Sequence, residues 1–133
     1  MSAANIALVQ NLYAAFGQGD ITAILDGLAP DVDWHSGSRA SDYPGFGPRK
    51  GRKAVEEFFG IIAQNNDFSH FSPREFHAAD DKVFVLGDYA MTMRKTGKKF
   101  ASDWVHVFTI RAGKVTKFRE FLDTAGAAEA YRG

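Results

Sequence analysis

The residue best placed for proton chemistry is a histidine within an apolar run near the end of the chain. His106 alternates in phase with Trp104, Phe108 and Ile110, so a strand would direct it to the same side as three large apolar groups. Burial disfavours a charged imidazole, and a nearby carboxylate favours it. Two interpretations follow: a neutral imidazole that gives or takes a proton near pH 7, or a core histidine hydrogen-bonded to a neighbouring strand.

An acid on the following strand is the second candidate. Asp123 lies in phase with Arg119 and Phe121, and Phe121 with Leu122 breaks the alternation, which suggests a bulge. An aspartate among aromatic residues must be paired or protonated, because an isolated buried carboxylate is too unfavourable. Asp123 is therefore either a general base or water activator oriented by Arg119, or half of a structural ion pair that closes the sheet.

His35 is the third candidate. In the alternating run 31–36, Val32 and Trp34 face one way and Asp33 and His35 the other, so only one of these pairs can enter a pocket. The candidate catalytic residues are thus Asp123, His106 and His35. The side chains predicted to line a ligand pocket are Trp34, Tyr13, Tyr89, Trp104, Phe108, Arg119 and Phe121.

Composition restricts the function classes. The chain has 133 residues, which predicts a single domain over residues 1–133, and its 16 basic and 16 acidic residues argue against a nucleic-acid partner. There is no cysteine, and the 4 histidines have no spacing for a local pair of ligands, so we predict neither a metal nor another cofactor. No apolar run approaches the ~20 residues of a membrane span, and no signal peptide is evident. We therefore expect a cytoplasmic protein with no membrane partner.

The elements that position these residues follow from periodicity. Apolar residues at spacings of three and four predict helices over 5–16, 20–29 and 51–66. Residues 37–50 form a loop that either folds over the core edge or acts as a lid carrying Tyr43 and Phe46. The remaining predicted elements are strands over 31–36, 69–79, 82–93, 100–110 and 115–123, and a short closing helix over 124–131. Helices followed by hairpin-connected strands indicate an α+β fold.

Several short sequence words occur in an order typical of one superfamily. They are Asn11-Leu12-Tyr13-Ala14-Ala15-Phe16, Leu28-Ala29-Pro30-Asp31-Val32 with Trp34-His35, Gly51-Arg52 with Phe58-Phe59, Asp103-Trp104-Val105-His106-Val107-Phe108, and Phe118-Arg119-Glu120-Phe121-Leu122-Asp123. The resemblance that they carry covers about residues 5–131. This pattern resembles the nuclear-transport-factor-2-like superfamily, which includes ketosteroid isomerase, SnoaL-like polyketide cyclases and limonene-epoxide hydrolase, and it is most similar to the SnoaL-like, ketosteroid isomerase-related proteins.

The resemblance implies a cone-shaped fold. Three N-terminal helices pack on a strongly curved, mainly antiparallel sheet, and a hydrophobic pocket lies between the helices and the concave face of the sheet. Members of this group often form homodimers through the sheet. The resemblance therefore implies two partners, a small hydrophobic ligand and a second copy of the chain.

The resemblance also places known catalytic positions on this sequence. The isomerase base falls on His35, the protonated acid of its oxyanion hole on His106, and its tyrosine on Leu12, which cannot donate a hydrogen bond. The Arg-x-Asp of the hydrolase falls on Gly87 and Tyr89, and only the final acid is retained, as Asp123. SnoaL-like cyclases place an acid and a histidine in the pocket, roles open to Asp123 with His35 or His106.

Two functions are consistent with these positions. The first is a small cofactor-independent enzyme of the isomerase, cyclase or hydrolase type, which applies acid/base chemistry to a hydrophobic ligand in an enclosed pocket. The alternative is a non-catalytic protein of the same fold that binds a small molecule. A third possibility, a scaffold that uses only the exposed face of its sheet, requires no pocket chemistry.

Overall fold

The structure, a computed structural model, describes residues 2–133 and contains four helices and six strands. In chain order the elements are α1 (Ser2–Gly17), α2 (Ile21–Asp26), β1 (Leu28–Ser36), β2 (Gly47–Lys50), α3 (Arg52–Asn65), β3 (Asn66–Ala79), β4 (Lys82–Met93), β5 (Lys99–Arg111), β6 (Lys114–Phe121) and α4 (Thr124–Arg132). Helices packed against one sheet confirm the predicted α+β class. No helix of the described part is long and apolar enough to cross a membrane.

The sheet has the strand order β2-β1-β6-β5-β4-β3. Neighbouring strands are antiparallel except for β1 and β6, which run parallel. This parallel pair brings the first strand of the chain beside the last one, so Ser36 lies opposite Glu120. Residues from both ends of the chain therefore share the centre of the sheet.

Each helix presents a short apolar stripe to the sheet. Val9, Leu12 and Ala15 recur every three residues along α1 and are buried, which is the spacing of one helical face. α1 packs on β3 and β4, and α3 packs on β1 through its buried Val55 and Phe58. The helices thus cover the inner face of the sheet, where the core lies.

The boundary between α2 and β1 differs from the prediction. The expected second helix continued to residue 29, but α2 ends at Asp26 and Leu28 already pairs with Val115 of β6. Gly27 ends the helix, with its backbone N–H donating to the carbonyls of Ile24 and Leu25. An apolar residue at position 28 is consistent with both a helical stripe and a buried strand. Pairing with β6 places Leu28 in a strand.

The loop before α3 is shorter and better packed than expected. Its last residues form β2, a strand that was not predicted and that pairs with β1. In the rest of the loop, Tyr43 and Phe46 are each only 4% exposed. Gly37 has a φ of 59°, and a Cβ there would lie 2.5 Å from the Phe46 ring, so the close approach of the loop to β1 requires glycine. The loop is folded onto the core, with both aromatic rings buried.

Candidate functional site

A cavity lies between the helices and the inner face of the sheet. Its volume is about 100 Å³, whereas about 15 Å³ is enough to hold one water molecule. Its walls are mainly aromatic, and they include Phe16, Phe58, Phe59, Phe71, Phe108 and Phe118. Polar side chains enter this apolar lining at only a few places.

His106 is the centre of the main polar group. The Nε2 atom lies 2.8 Å from Oε2 of Glu120 on β6, and the Nδ1 atom lies 2.6 Å from the hydroxyl of Tyr13 on α1. The imidazole stacks on Trp104, with 3.8 Å between ring centroids. Both ring nitrogens are within hydrogen-bonding distance of a partner, and Trp104 covers one face of the ring. The imidazole, which is only 4% exposed, is therefore fixed in position.

Glu120 is a buried acid with three hydrogen-bond donors. Ser36 donates to Oε1, while Tyr89 and His106 lie within 3.2 and 2.8 Å of Oε2. Burial acts to raise the pKa of Glu120, but the hydrogen bond and charge of His106, with the hydroxyls of Ser36 and Tyr89, outweigh it and hold this pKa below its ordinary value. The carboxyl is therefore ionised at neutral pH.

The two tyrosines of this group keep their protons. Burial, reinforced by the negative charge of Glu120, raises the pKa of Tyr13 far above its ordinary value and does the same for Tyr89. Both phenols are therefore neutral over the physiological range. Tyr89 donates to Glu120, and Tyr13, which is less buried than His106, lines the cavity together with the imidazole.

The charge of Glu120 defines the direction of its hydrogen bond with His106. A carboxylate is acceptor-only, so the Nε2 atom of His106 carries the proton it shares with Glu120. Nδ1 accepts from the Tyr13 hydroxyl in the neutral form of the imidazole and donates to that hydroxyl in the imidazolium. The arrangement is a phenol, an imidazole and a carboxylate in series, the same order of roles that activates a hydroxyl in a serine–histidine–aspartate triad. It can transfer a proton between a ligand in the cavity and His106.

A second polar group lines the same cavity. Asn66, at the start of β3, is 7% exposed and accepts a hydrogen bond from the Tyr43 hydroxyl through its side-chain oxygen. Its amide nitrogen faces the sulfurs of Met91 and Met93. The N–H groups of this amide are therefore directed at apolar residues.

Most of the aromatic residues predicted as pocket walls lie at the cavity. Trp34, Tyr13, Tyr89 and Phe108 line it, as does His106. Trp104 instead packs behind the imidazole, with its ring buried against His106. The predicted phase of β5, with Trp104, His106 and Phe108 on one face and Asp103 on the other, agrees with the observed burial.

Three predicted residues near the end of the sheet lie outside the cavity. Asp123 is exposed and caps α4, where its side chain accepts from the backbone N–H of Gly126 at 2.9 Å. Phe121 is 50% exposed, and the Arg119 guanidinium carbon lies 4.9 Å from the centroid of its ring. Within residues 2–133, Arg119 forms no ion pair with Asp123. The expected placement of these three residues in the pocket was wrong, because they belong to the outer face of the sheet or to the helix cap.

His35 also lies on the outer face. Trp34 and Ser36 on either side of it are buried on the inner face, and alternation along β1 turns the His35 ring away from the cavity. The alternatives at this strand are thereby decided in favour of Trp34. The predicted homodimer through the sheet stays a prediction, and Leu86 and Phe121 are exposed apolar residues of the chain.

Sequence reasoning did not find Glu120, Ser36 or Asn66. Glu120 carried a usable signal, since it stands two residues after the apolar Phe118, in the phase of a buried strand face. Asn66 was treated as a helix end, and its backbone does occupy the C-cap of α3. In the described chain, no three His, Asp or Glu side chains are grouped so that they could hold a metal ion.

Comparisons with known proteins agree with this fold. A nuclear-transport-factor-2-like protein of Burkholderia xenovorans is 30% identical, with a TM-score of 0.90 over 98% of each chain. TerC co-crystallised with polyporic acid is 30% identical, with a TM-score of 0.85 over 98% of this chain and 99% of TerC. A protein of Catenulispora acidiphila with a ketosteroid isomerase-like fold, in complex with trimethylamine, is 13% identical, with a TM-score of 0.76 over 94% and 92% of the two chains.

A search of curated proteins finds no match. Residues 9–118 match the SnoaL-like domain. This match spans most of the 133 residues, including α2 to α3 and nearly the whole sheet. The chain therefore belongs to the SnoaL-like domain family.

Proposed function

We propose that this chain is a small cofactor-independent enzyme that moves a proton on a hydrophobic ligand held in the cavity. The observation that carries the proposal is the series Tyr13, His106 and Glu120, joined by hydrogen bonds of 2.6 and 2.8 Å in an aromatic wall. A carboxylate and an imidazole are rarely buried without need, because desolvation opposes their charged forms. Their pairing beside a cavity favours acid/base chemistry over a purely structural role.

The proton path follows from the hydrogen bonds. A ligand with an acidic C–H or O–H group gives its proton to the Tyr13 oxygen while Tyr13 passes its own proton to Nδ1 of His106. The imidazolium formed is stabilised by the ionised Glu120 at Nε2. Return of the proton to another ligand atom by the reverse path completes an isomerisation or ring closure, with no net change in the protein.

The apolar lining supports a hydrophobic ligand. Phe16, Phe71 and Phe118 present ring faces and edges to the space beside the polar series, and excluded water strengthens the electrostatic interactions within it. TerC, 30% identical to this chain, was co-crystallised with polyporic acid. We infer that this cavity also takes a small organic molecule.

Proton exchange on a simple ketone tests the proposal. The probe is 2-tetralone in D₂O, whose activated C–H protons are followed by proton NMR with and without protein. We expect the protein to accelerate exchange, and Glu120→Gln and His106→Phe to reduce that acceleration by about 100-fold or more, the usual range for general acid/base groups. Asp123→Asn is the matched acid control and should keep the full rate. If Glu120→Gln accelerated exchange as much as wild type does, Glu120 would have no role in the proton transfer.

A binding protein without catalysis is the second candidate. The observation in its favour is that the polar series is satisfied internally, since Tyr13, Ser36 and Tyr89 all direct their hydroxyls at His106 or Glu120. In this candidate, the hydrogen-bonded series serves only to hold the cavity in shape. Saturable binding of 2-tetralone with an exchange rate no greater than in buffer would favour this candidate.

A further inference from the structure

A buried amide contacts β4 two to four residues further along the strand than the proton-transfer series does. We propose that Asn66 forms a second polar subsite, in which its side-chain N–H groups bind an acceptor oxygen, such as a carbonyl, carried by the far end of the ligand. The inference rests on the proposed function only in that the first end of the ligand lies at Tyr13 and His106. It adds a specificity-determining residue and a class of ligand, one with oxygen at both ends of an apolar body.

The hydrogen bonds of Asn66 leave its donors poorly satisfied. Its oxygen accepts from Tyr43, but its nitrogen lies 2.8 Å from the sulfur of Met91 and 3.4 Å from that of Met93. A thioether is a weak acceptor. A buried amide normally finds strong partners for its N–H groups, so these donors have capacity for a better acceptor from the cavity that Asn66 lines.

Tyr43 fixes which way the amide points. Burial raises the pKa of Tyr43, although its hydrogen bond to Asn66 acts in the opposite direction, so the phenol stays protonated and donates to the amide oxygen. The Tyr43 ring is itself held, with its centroid 5.1 Å from that of Phe46 and 5.4 Å from that of Tyr131. Rotation of the amide would turn its oxygen towards two sulfurs, so the N–H groups are held on the methionine side.

The distance between the two subsites follows from β4. Tyr89, Met91 and Met93 are successive inward residues of this strand, and Tyr89 contacts Glu120 whereas both methionines contact Asn66. At about 3.4 Å per residue, Met91 and Met93 lie about 7 and 14 Å along the strand from Tyr89. A ligand that reaches both subsites is therefore two to three fused or linked rings long, and the aromatic walls favour planar rings.

A pair of fluorescent ligands tests the second subsite. The ligands are 6-acetyl-2-naphthol, with a hydroxyl and a ketone at opposite ends of two rings, and 6-ethyl-2-naphthol, which lacks the ketone oxygen. The variant is Asn66→Leu/Tyr43→Phe, which removes the amide together with the phenol that would otherwise lose its acceptor. Asn65→Leu is the matched control, because this neighbouring amide donates to the Ile61 carbonyl and does not line the cavity. Dissociation constants are measured by fluorescence titration.

We expect wild type and Asn65→Leu to bind the acetyl ligand at least about fivefold more tightly than the ethyl ligand, the effect of one buried hydrogen bond. In the double variant the two ligands should bind equally, with the ethyl ligand bound as well as by wild type. Equal affinities in wild type, a preference that survives in the double variant, or no binding of either ligand would each overturn the inference. Because the readout is binding, it is separate from proton exchange on 2-tetralone, and either proposal can fail alone.

Discussion

His106 and Glu120 lie directly opposite each other on β5 and β6, and the imidazole Nε2–H donates to the carboxylate Oε2 at 2.8 Å. Both side chains point to the inner face of the sheet, where β5 and β6 carry mainly apolar residues. A buried carboxylate in such a place is stable only with donors around it, and Ser36 and Tyr89 provide two more. The pair is therefore important for folding as well as for the proposed chemistry.

Substitution of this acid should show a stability effect that depends on acidity. Glu120→Gln removes the charge and leaves donors around it unpaired, so we expect the free energy of unfolding at pH 7 to fall by about 3 kcal/mol. The folded-state pKa of Glu120 is below its ordinary value, so the charge stabilises the fold above about pH 4.3 and that stabilisation is lost as the pH falls further. Urea unfolding at several pH values measures the difference.

The exposed Glu129→Gln serves as the control for that series. Its stability should follow that of wild type at every pH. A difference between wild type and Glu120→Gln that grows on acidification would contradict the assignment of Glu120 as an ionised group with a lowered pKa.

At alkaline pH the buried phenols should destabilise the fold in a defined way. The pKa values of Tyr13, Tyr43 and Tyr89 are raised, so above about pH 10 these groups ionise in the unfolded chain and stay neutral in the folded one. The unfolded state then binds fewer protons, and each phenol lowers the free energy of unfolding by about 1.4 kcal/mol per pH unit. Chemical unfolding between pH 9 and about pH 11 measures this slope.

The phenolate absorbance gives an independent check. The signal of the three buried rings should appear together with loss of tertiary circular dichroism, not before it. In the double variant Tyr13→Phe/Tyr89→Phe, the free energy of unfolding should fall less steeply with pH, because two of the three buried phenols are absent. A gradual phenolate signal from all three rings in the folded protein would show that they are accessible to hydroxide.

Gly87 on β4 should not accept even one methyl group. A Cβ there would lie 2.4 Å from Cζ2 of Trp104 and 2.5 Å from the backbone oxygen of Ser72. We expect Gly87→Ala to lower the free energy of unfolding by about 2 kcal/mol, a usual effect of overpacking, and to shift the Trp104 ring from its stack on His106. Unfolding curves and tryptophan fluorescence report the two effects.

Gly60 on α3 is a suitable comparison, because a Cβ there meets no atom within 4 Å. Gly60→Ala should leave the protein at least as stable as wild type, since alanine favours the helix. If the two alanine variants were equally stable, the close packing of Gly87 against Trp104 would not hold in solution.

Asp123 should affect stability without affecting the site. Asp123→Ala removes the side-chain acceptor for the Gly126 N–H at the start of α4, and loss of an N-cap lowers stability by about 1 kcal/mol. Exchange on 2-tetralone, measured per folded molecule, should be unchanged. Asp123→Asn keeps a capping oxygen and should restore most of the lost stability, whereas a rate loss in both variants would return Asp123 to the list of catalytic candidates.

Local sequence patterns were sufficient to predict the fold and the inward-facing residues of β5. The spacing of Trp104, His106 and Phe108 identified the inner face of β5, and the helical stripes of α1 and α3 were evident in the sequence. Both depend on periodicity within one element, which a single sequence displays. The class of fold followed from the order of these elements.

The partner of His106 could not be obtained in that way. The tight turn pairs Arg111 with Lys114 and Ile110 with Val115, and continuing this register would place Arg119 opposite His106. A bulge then shifts the pairing, so Thr109 lies opposite Lys117 and His106 opposite Glu120. A shift of one residue exchanges the two faces of a strand, so the bulge places Glu120 beside His106 on the inner face and leaves Arg119 and Phe121 on the outer face.

Ser36 and Asn66 were not predicted as site residues for a different reason. Ser36 reaches Glu120 through the parallel pairing of β1 with β6, a contact between residues far apart in the chain. Asn66 reaches the cavity because β3 follows α3 without a connecting loop. Neither contact leaves a periodic trace in the sequence.

The polar series also depends on the order in which the chain is completed. The bond between Tyr13 and His106 spans 93 residues, and that between Ser36 and Glu120 spans 84, and contacts of such separation form slowly because long loops must close first. During synthesis, Ser36, Tyr89 and His106 must all wait for β6 before they meet a carboxylate. A growing chain therefore completes this polar series only when its last strand pairs with β1 and β5.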